Sequence, residues 1–237
     1  MKFIKYKKEL NYSYSLGVYA TLELLKNRKD LVDKVVLSRE GDKNSGVSEI
    51  VSICTLENIP YEFDDLWVSK VSTKENIYAV GIFKKFSGDL KEQENNLVLV
   101  NPSDMGNLGT IIRTMVGFGV SNLALIKPAV DIFDPKVVRA SQGAIFQINF
   151  QYFDSAQCFF EKFKIANYLF MTDEEKTLKS IVFQKPCSLI FGNESSGLSE
   201  ALKTYGESIR ISQTDKIDSL NLAVSVGIVL HQLMVKS

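Results

Sequence analysis

The fold is decided by one stretch, residues 98–119, which reads VLVNPSDMGNLGTIIRTMVGFG. The stretch begins inside an apolar, β-branched run at 97–100, whose length and composition are typical of a buried parallel strand. Turn-forming residues follow at 101–104, and apolar side chains then recur at helical spacing. Because a second apolar run comes next at 123–126, the stretch predicts a strand–helix–strand crossover of a parallel sheet.

The helix of this crossover carries two polar residues with two possible roles. Asp104 or Asn107 can cap its amino terminus, and Gly117 or Gly119 can end it. Arg113 can simply lay its stem along the helix surface, with Asn107 acting only as a cap. Alternatively, both side chains reach a polyanionic or hydroxyl-bearing ligand, because ligands of open α/β sheets bind at the carboxyl edge of the strands.

Apolar runs and periodic stretches alternate along the rest of the chain. Further strands are predicted at 35–37, 61–63, 77–83, 168–171, 187–191 and 208–211. Helices are predicted at 13–25, 48–58, 155–164 and 220–233, with Ser219 as the cap of the last, and another helix begins at Asp134 and Pro135. A further helix or turn is predicted at 68–73. The predicted fold class is therefore α/β, with a parallel sheet covered by helices on both faces.

A polar stretch without apolar periodicity divides the chain in two. We predict a small α/β domain at 1–86, a linker at 87–96 and a larger domain at 97–237. The decisive crossover lies in the larger domain.

Composition narrows the class of protein. Of the 237 residues, 45% are hydrophobic, but no apolar run reaches the ~20 residues of a membrane helix. The lysine-rich amino terminus has no apolar segment behind it, so no signal peptide is predicted. Three separated cysteines and a single histidine, His231, offer no metal-type spacing. These features predict a cytoplasmic protein that binds neither metal nor membrane.

Charge does not by itself indicate a nucleic-acid partner. Basic and acidic residues balance at 28 each, whereas nucleic-acid binders usually show a basic excess. A small basic surplus lies before residue 87, where Lys2, Lys5, Lys7 and Lys8 cluster. This cluster is either an arm that faces phosphate groups or an ordinary solvated terminus.

Three loops with similar chemistry leave the carboxyl ends of predicted strands, at 101–107, 192–197 and 212–221. Their glycines allow close backbone approach, and their amides and carbonyls can bind an adenine or a methionine carboxylate. The common nucleotide fingerprints, G-x-G-x-x-G after a strand and the P-loop, are absent from the sequence.

These loops carry motifs that resemble a known family. Three segments resemble motifs one, two and three of the SpoU/TrmH family, in this order: NLGTIIRT (107–114), FGNESSGLS (191–199) and IRISQTDKIDSLNLAVSVGI (209–228). The segment VVRASQGAIF (137–146) is similar to the connector between them. The stretches 17–25 and 59–62 resemble the ribosomal-protein-like, RNA-binding domain that often precedes this family's catalytic domain. The family consists of RNA ribose 2′-O-methyltransferases of the SPOUT superfamily.

The resemblance implies a deep trefoil knot in the carboxyl-terminal domain, a homodimer, and S-adenosylmethionine as cofactor. The residues implied to bind the cofactor are Met171, Thr172, Gly192, Asn193, Gly197, Ile211 and Leu220. The residues implied to take part in catalysis are Asn107, Arg113, Glu194, Ser219 and Asn221.

The chemistry restricts what these residues can do. The ribose hydroxyl displaces a sulfonium-bound methyl group in one step, so positioning and proton removal matter more than a metal or a covalent intermediate. With a pKa above ~12, Arg113 is a poor base, and we expect it to pair with phosphate or stabilise the developing alkoxide. Asn107, Ser219 and Asn221 would orient the reactants. Glu194 would hold a neighbouring side chain, or be only a carboxylate at a helix start.

The sequence departs from the family in motif three, where Ile211-Ser212-Gln213 replaces the usual Ile-Pro-Met. The predicted function is S-adenosylmethionine-dependent methylation of a ribose 2′-hydroxyl in structured RNA, with ribosomal RNA as the expected substrate. Transfer RNA is the alternative substrate, and a non-catalytic RNA-binding or ribosome-assembly factor is the alternative class. The front domain is expected to select the RNA.

Overall fold

The computed structural model describes residues 5–71 and 77–235. Lys2 and the end of the helix or turn predicted at 68–73 lie outside these residues. The strands are β1 (Tyr12–Leu16), β2 (Val32–Leu37), β3 (Tyr61–Phe63), β4 (Ala79–Lys84), β5 (Asn96–Val100), β6 (Asn122–Ile126), β7 (Asn149–Phe153), β8 (Ala166–Phe170), β9 (Cys187–Phe191) and β10 (Glu207–Ile209). The α-helices are α1 (Val18–Asn27), α2 (Ser45–Leu56), α3 (Asp65–Val71), α4 (Met105–Gly117), α5 (Pro135–Ala140), α6 (Ala156–Lys162) and α7 (Leu222–Val235).

The first compact unit is built on a four-stranded mixed sheet with the order β1-β4-β2-β3. Strand β4 pairs antiparallel with β1 and β2, and β3 runs parallel to β2 at the edge. An apolar cluster that includes Leu25, Leu37 and Ile50 fills one side of this sheet.

The helix predicted at 13–25 is wrong in its first part, because Tyr12–Leu16 forms strand β1. Ser13 and Ser15 are fully buried there, although serine is a polar residue. The Ser13 hydroxyl donates to the Phe133 carbonyl (2.5 Å), and the hydroxyls of Ser15 and Thr21 lie 3.0 Å apart. These partners are supplied by tertiary structure, so the local pattern could not reveal the strand.

The second compact unit contains the six-stranded sheet with the order β10-β8-β9-β5-β6-β7. Every neighbouring pair in this sheet is parallel. The predicted parallel α/β architecture is therefore confirmed. Strands β5 and β9 lie at its centre, which explains why they read as continuous apolar runs. The crossover from β5 through α4 to β6 forms as the sequence predicts.

The chain is divided differently from the predicted domains at two places. Residues 131–147, which include α5, belong to the first unit, although they were predicted within the domain at 97–237. The predicted linker, 87–96, is part of the second unit rather than a free connection. Leu90 is 4% exposed in its core, and the Asn122 amide donates to the Lys91 carbonyl at 2.7 Å.

Candidate active site

A cavity of about 490 Å³ lies in the second unit, at the carboxyl ends of β8, β9 and β10. Three loops that follow these strands line it, together with the amino-terminal turns of α4 and α7. All seven residues predicted to bind the cofactor line this cavity: Met171, Thr172, Gly192, Asn193, Gly197, Ile211 and Leu220. Four of the five predicted catalytic residues also line it: Asn107, Glu194, Ser219 and Asn221.

The loop after β9 makes a tight turn at the cavity wall. Asn193 and Gly197 exchange two backbone hydrogen bonds, with N···O distances of 3.2 and 3.0 Å. A Cβ atom on Gly192 would lie 2.1 Å from the carbonyl carbon of Gly197, so no larger residue fits there. Gly197 has φ +64°, in the left-handed region that favours glycine. The two glycines thus let bare backbone approach whatever occupies the cavity.

The Glu194 carboxylate ties motif two to motif one. Its Oε2 accepts hydrogen bonds from the Ser103 hydroxyl (2.7 Å) and backbone N–H (3.1 Å). Its Oε1 accepts from the Asp104 N–H (3.2 Å) and from the Asn107 amide (3.4 Å). Burial alone would raise the pKa of the Glu194 carboxyl, but the hydrogen bonds from Ser103 and nearby backbone amides give a net lowering. Glu194 is therefore ionised, and both of its carboxylate oxygens already accept hydrogen bonds. This suits a positioning role better than proton removal.

The Asn107 side chain joins motif one to motif three. Its Oδ1 accepts a hydrogen bond from the Asn221 amide at 3.0 Å. The Asn221 Oδ1 in turn accepts from the Ala223 N–H at 2.9 Å and caps α7. The predicted cap, Ser219, is wrong, because α7 begins at Leu222 and not at residue 220. Ser219 lines the cavity without a side-chain hydrogen bond to another described residue.

Two helix amino termini therefore meet at the cavity. Asp104 caps α4 by accepting from the Asn107 N–H at 2.6 Å, and Asn221 caps α7. Each helix end carries a partial positive charge of about half an elementary charge. At α4 the carboxylates of Asp104 and Glu194 already occupy this positive end, whereas α7 is capped by the neutral Asn221 amide, so the amino terminus of α7 is the one left to attract an anionic group.

Arg113 does not line the cavity of its own chain. It lies on the solvent-exposed side of α4, and its guanidinium has no hydrogen bond or ion pair with the described residues. Helix α7 packs beside α4, with the rings of Phe118 and His231 6.1 Å apart and Gly227 next to Thr114. The catalytic role of Arg113 stays a prediction.

Sequence reasoning missed two residues of this site. Ser103 contacts Glu194, but its sequence context indicates only a turn. Gln213 lines the cavity, and its amide nitrogen donates to the carbonyls of Ile217 (3.2 Å) and Asp218 (3.1 Å). It thereby closes the irregular loop before α7. The departure from the family pattern at 212–213 was the one signal that could have found it.

Other reactive groups lie elsewhere. Cys54 and Cys187 are buried, and burial raises the pKa of their thiols to about 11 and about 12. Within residues 5–71 and 77–235, no grouping of three or more histidine, cysteine, aspartate or glutamate residues could hold a metal ion. No helix in that same part of the chain is long and apolar enough to cross a membrane.

Fold and site together define an α/β protein with a ligand cavity at the carboxyl edge of a parallel sheet. The family model described as the SpoU rRNA methylase family matches residues 94–231. The chain therefore belongs to the SpoU rRNA methylase family, and the resemblance carried by motifs one to three is confirmed. Membership makes the chain an RNA methyltransferase that uses S-adenosylmethionine, as the sequence predicts.

Individual relatives agree with this assignment. A Synechocystis protein named uncharacterized tRNA/rRNA methyltransferase is 36% identical over 57% of this chain, and the match spans about half (51%) of that protein. The 23S rRNA (adenosine(1067)-2′-O)-methyltransferase of Streptomyces azureus is 25% identical over 81% of this chain and 76% of its own length. The AdoMet-bound rRNA methyltransferase of Sinorhizobium meliloti has the same fold, with a TM-score of 0.80, 24% identity, and coverage of 94% of this chain and 87% of that one.

Proposed function

We propose that this chain transfers a methyl group from S-adenosylmethionine to a ribose 2′-hydroxyl of structured ribosomal RNA. One observation carries the proposal. The polar side chains of motifs one, two and three converge on one cavity, where Glu194, Asn107 and Asn221 are linked by hydrogen bonds. All seven residues expected to hold the cofactor line that same cavity.

The cavity lining fits S-adenosylmethionine. A volume of about 490 Å³ is in the usual range for small-molecule sites. Phe170 and Phe191, stacked at 4.6 Å, supply an apolar wall, and the bare backbone of the turn at 192–197 supplies amides and carbonyls. An apolar wall beside hydrogen-bonding backbone suits an adenosyl group, and the amino terminus of α7, capped by the neutral Asn221 amide, suits a carboxylate.

Catalysis then depends on positioning by this chain's own residues. When bound, S-adenosylmethionine would supply a methyl group on a positively charged sulfur: the sulfur–methyl bond breaks as the bond to the ribose oxygen forms, a neutral thioether is left, and the hydroxyl proton passes to solvent. Glu194 fixes the Asn107 side chain, and Asn221 fixes its other end, so the Asn107 amide has one orientation. Ser219 is free to contact the ribose.

We place Arg113 at the RNA rather than at the cofactor. It lies outside the cavity lining and carries a fixed positive charge on an exposed helix face. A planar guanidinium can bind phosphate and hydroxyl groups at once. In this role Arg113 holds the target nucleotide and stabilises the alkoxide, and it does not remove the proton.

A homodimer is part of the proposal. Helix α7 buries one side and leaves large apolar side chains exposed on the other: Val224 (51%), Ile228 (38%), Met234 (60%) and Val235 (65%). A second copy of the chain is the partner that an apolar, self-complementary helix face fits. Because α4 packs beside α7, such an interface would bring Arg113 of each protomer close to the other protomer.

A knotted carboxyl-terminal segment is also proposed. Arg210, just after β10, is hydrogen-bonded through its backbone to Lys176 and Leu178, in the segment that follows β8. Farther along, the Gln232 amide donates to the Leu178 carbonyl at 3.3 Å. The last segment thus follows the earlier loop closely before and after the Asn221–Asn107 contact, which supports a threaded path. Cytoplasmic location stays a prediction.

Ribosomal RNA is preferred over transfer RNA as the substrate. The match to the Streptomyces azureus 23S rRNA enzyme covers 81% of this chain, so it extends into the first unit. To test the proposal, purified protein and tritiated S-adenosylmethionine are incubated with separated rRNA and tRNA from cells lacking the protein. We expect tritium in the rRNA and none above background in the tRNA. Label in the tRNA alone would contradict the substrate assignment, and label in neither would contradict the activity.

A further inference from the structure

The amino-terminal arm, residues 5–8, is fastened to the segment at 131–147 within the first unit. The Tyr6 hydroxyl donates to the Asp131 carboxylate. The Lys85 ammonium lies 3.7 Å from that carboxylate and donates to the Lys8 carbonyl at 2.7 Å. It also lies 4.8 Å from the centre of the Tyr6 ring. These contacts hold the arm at the start of the segment that contains α5.

Both parts of this assembly carry positive charge that the described residues do not neutralise. The side chains of five basic residues have no hydrogen bond or ion pair within residues 5–71 and 77–235: Lys5, Lys7, Lys8, Lys136 and Arg139. By contrast, Lys26 in helix α1 and Lys29 just after it form ion pairs with Glu49 and Glu57, at 2.8 and 2.6 Å.

The two acidic residues of the segment at 131–147 already have partners. Asp131 is bound by Tyr6 and Lys85, and Asp134 caps α5 by accepting from the Lys136 N–H at 2.8 Å. Helix α5 buries Val137 and Val138, which leaves Lys136 and Arg139, three residues apart, on neighbouring positions of its surface. The region therefore presents net positive charge on a chain whose formal net charge is zero.

We infer that the arm at 5–8 and helix α5 form one basic surface that binds the phosphate backbone of the substrate RNA. This inference rests on the proposed function. Its chemistry is charge complementarity: flexible lysine ammonium groups and one guanidinium suit a polyanion with regularly spaced phosphates. Such contacts fix the RNA without reading its bases. The surface also gives residues 131–147 a role in RNA binding instead of in the methyltransferase domain.

The test compares two double variants of the full-length protein that remove the same charge. Lys136→Gln with Arg139→Gln removes two unpaired charges of the surface, and Lys26→Gln with Lys29→Gln removes two paired ones from the same unit. Affinity for a ribosomal RNA fragment is measured at several salt concentrations. We expect the first variant to bind more weakly, with the slope of log affinity against log salt reduced by about 1.4–1.8 for two lost phosphate contacts. The control should keep the wild-type slope.

A third variant, Lys7→Gln with Lys8→Gln, lies in the arm and leaves α5 untouched, so it should reduce the slope without any risk to the helix. Wild-type slopes in both surface variants would overturn the inference, as would an equal reduction in the control. S-adenosylmethionine affinity should stay unchanged in all three. Methyl transfer to rRNA by the wild-type protein is measured in parallel. Transfer with unchanged slopes would refute this surface alone, whereas no transfer would refute the proposed function.

Discussion

At the scale of single residues, the site depends on one asparagine whose two amide ends have different partners. Asn107 donates to Glu194, 87 residues away in sequence, and accepts from Asn221, 114 residues away, so the three motifs meet at one side chain. An amide can do this because it carries both a donor and an acceptor. Aspartate or leucine at this position would lose one or both partners.

Replacement of Glu194 by glutamine tests the positioning role. Glutamine keeps the size but would direct an NH₂ group or a weaker acceptor toward donors of Ser103 and Asp104. We expect turnover to fall at least tenfold, because Asn107 loses its fixed orientation, while cofactor affinity changes less than about threefold. Glu200→Gln, at an exposed neighbouring carboxylate, is the matched control. Normal turnover in Glu194→Gln would contradict the assignment.

The same variant has a defined pH dependence. Because the pKa of Glu194 is lowered from its ordinary 4.5 in the folded protein, the ionised carboxylate stabilises the fold above pH 4.5. That contribution is lost as the pH falls through the folded pKa. The difference in unfolding free energy between wild type and variant should therefore be full at pH 7 and shrink below pH 4.5 in urea titrations. A difference that grows in acid would contradict the lowered pKa.

Arg113→Lys separates charge from geometry. Lysine keeps the positive charge but lacks the planar fork, so we expect methyl transfer to fall strongly while the fold and cofactor affinity stay unchanged. The fold should tolerate the change because the guanidinium has no partner within the described residues. Turnover is measured with tritiated S-adenosylmethionine, and affinity by calorimetry. Near wild-type turnover would refute the catalytic role.

At the scale of elements, local patterns predicted what local structure determines. Strand β5, helix α4 and strand β6 follow from apolar runs, a cap at Asp104 and helical spacing, and all three form. Strand β1 and the membership of residues 131–147 were missed, because both depend on partners distant in sequence: β1 pairs with β4, more than sixty residues away, and Ser13 bonds to Phe133, 120 residues away. The cavity lining was predicted through the family motifs, and the Asp104 cap through the local pattern; the Asn221 cap of α7 and the hydrogen bonds of Gln213 were not predicted.

Gln213 stabilises the loop before α7 through two hydrogen bonds, and one substitution removes both of them. Gln213→Met keeps the length but loses both hydrogen bonds, to Ile217 and Asp218. Each bond contributes about 0.5–1.5 kcal/mol, so we expect the KM for S-adenosylmethionine to rise roughly three- to tenfold with kcat preserved at saturation. Gln157→Met, on the exposed side of α6, controls for the substitution itself. A fall in kcat with unchanged KM would show a different role.

At the scale of the whole molecule, the chain crosses between two compact units more than once. Residues 131–147 interrupt the second unit in sequence and complete the first. A fragment beginning at 97 would therefore contain buried residues such as Ile132 and Phe146 without strands β1 and β4. For this reason the division of labour between RNA selection and chemistry is tested in the full chain.

Assembly is tested on the exposed face of α7. Ile228→Glu places a charge at the centre of that face, where a second copy would bury it, so light scattering at micromolar concentration should show a dimer for wild type and a monomer for the variant. Leu66→Glu, at an apolar residue 74% exposed in the first unit, should stay dimeric. A monomeric, fully active wild type would contradict the proposed dimer.

The central claim, methylation of a ribose hydroxyl, is tested most directly by identifying the product. Ribosomal RNA is incubated with the protein and S-adenosylmethionine carrying a deuterated methyl group, digested to nucleosides and analysed by mass spectrometry. We predict that one 2′-O-methylated nucleoside carries the label on its ribose, and that Asn107→Ala gives little of it. Label on a base, or no label with wild-type protein that binds the cofactor, would contradict the account.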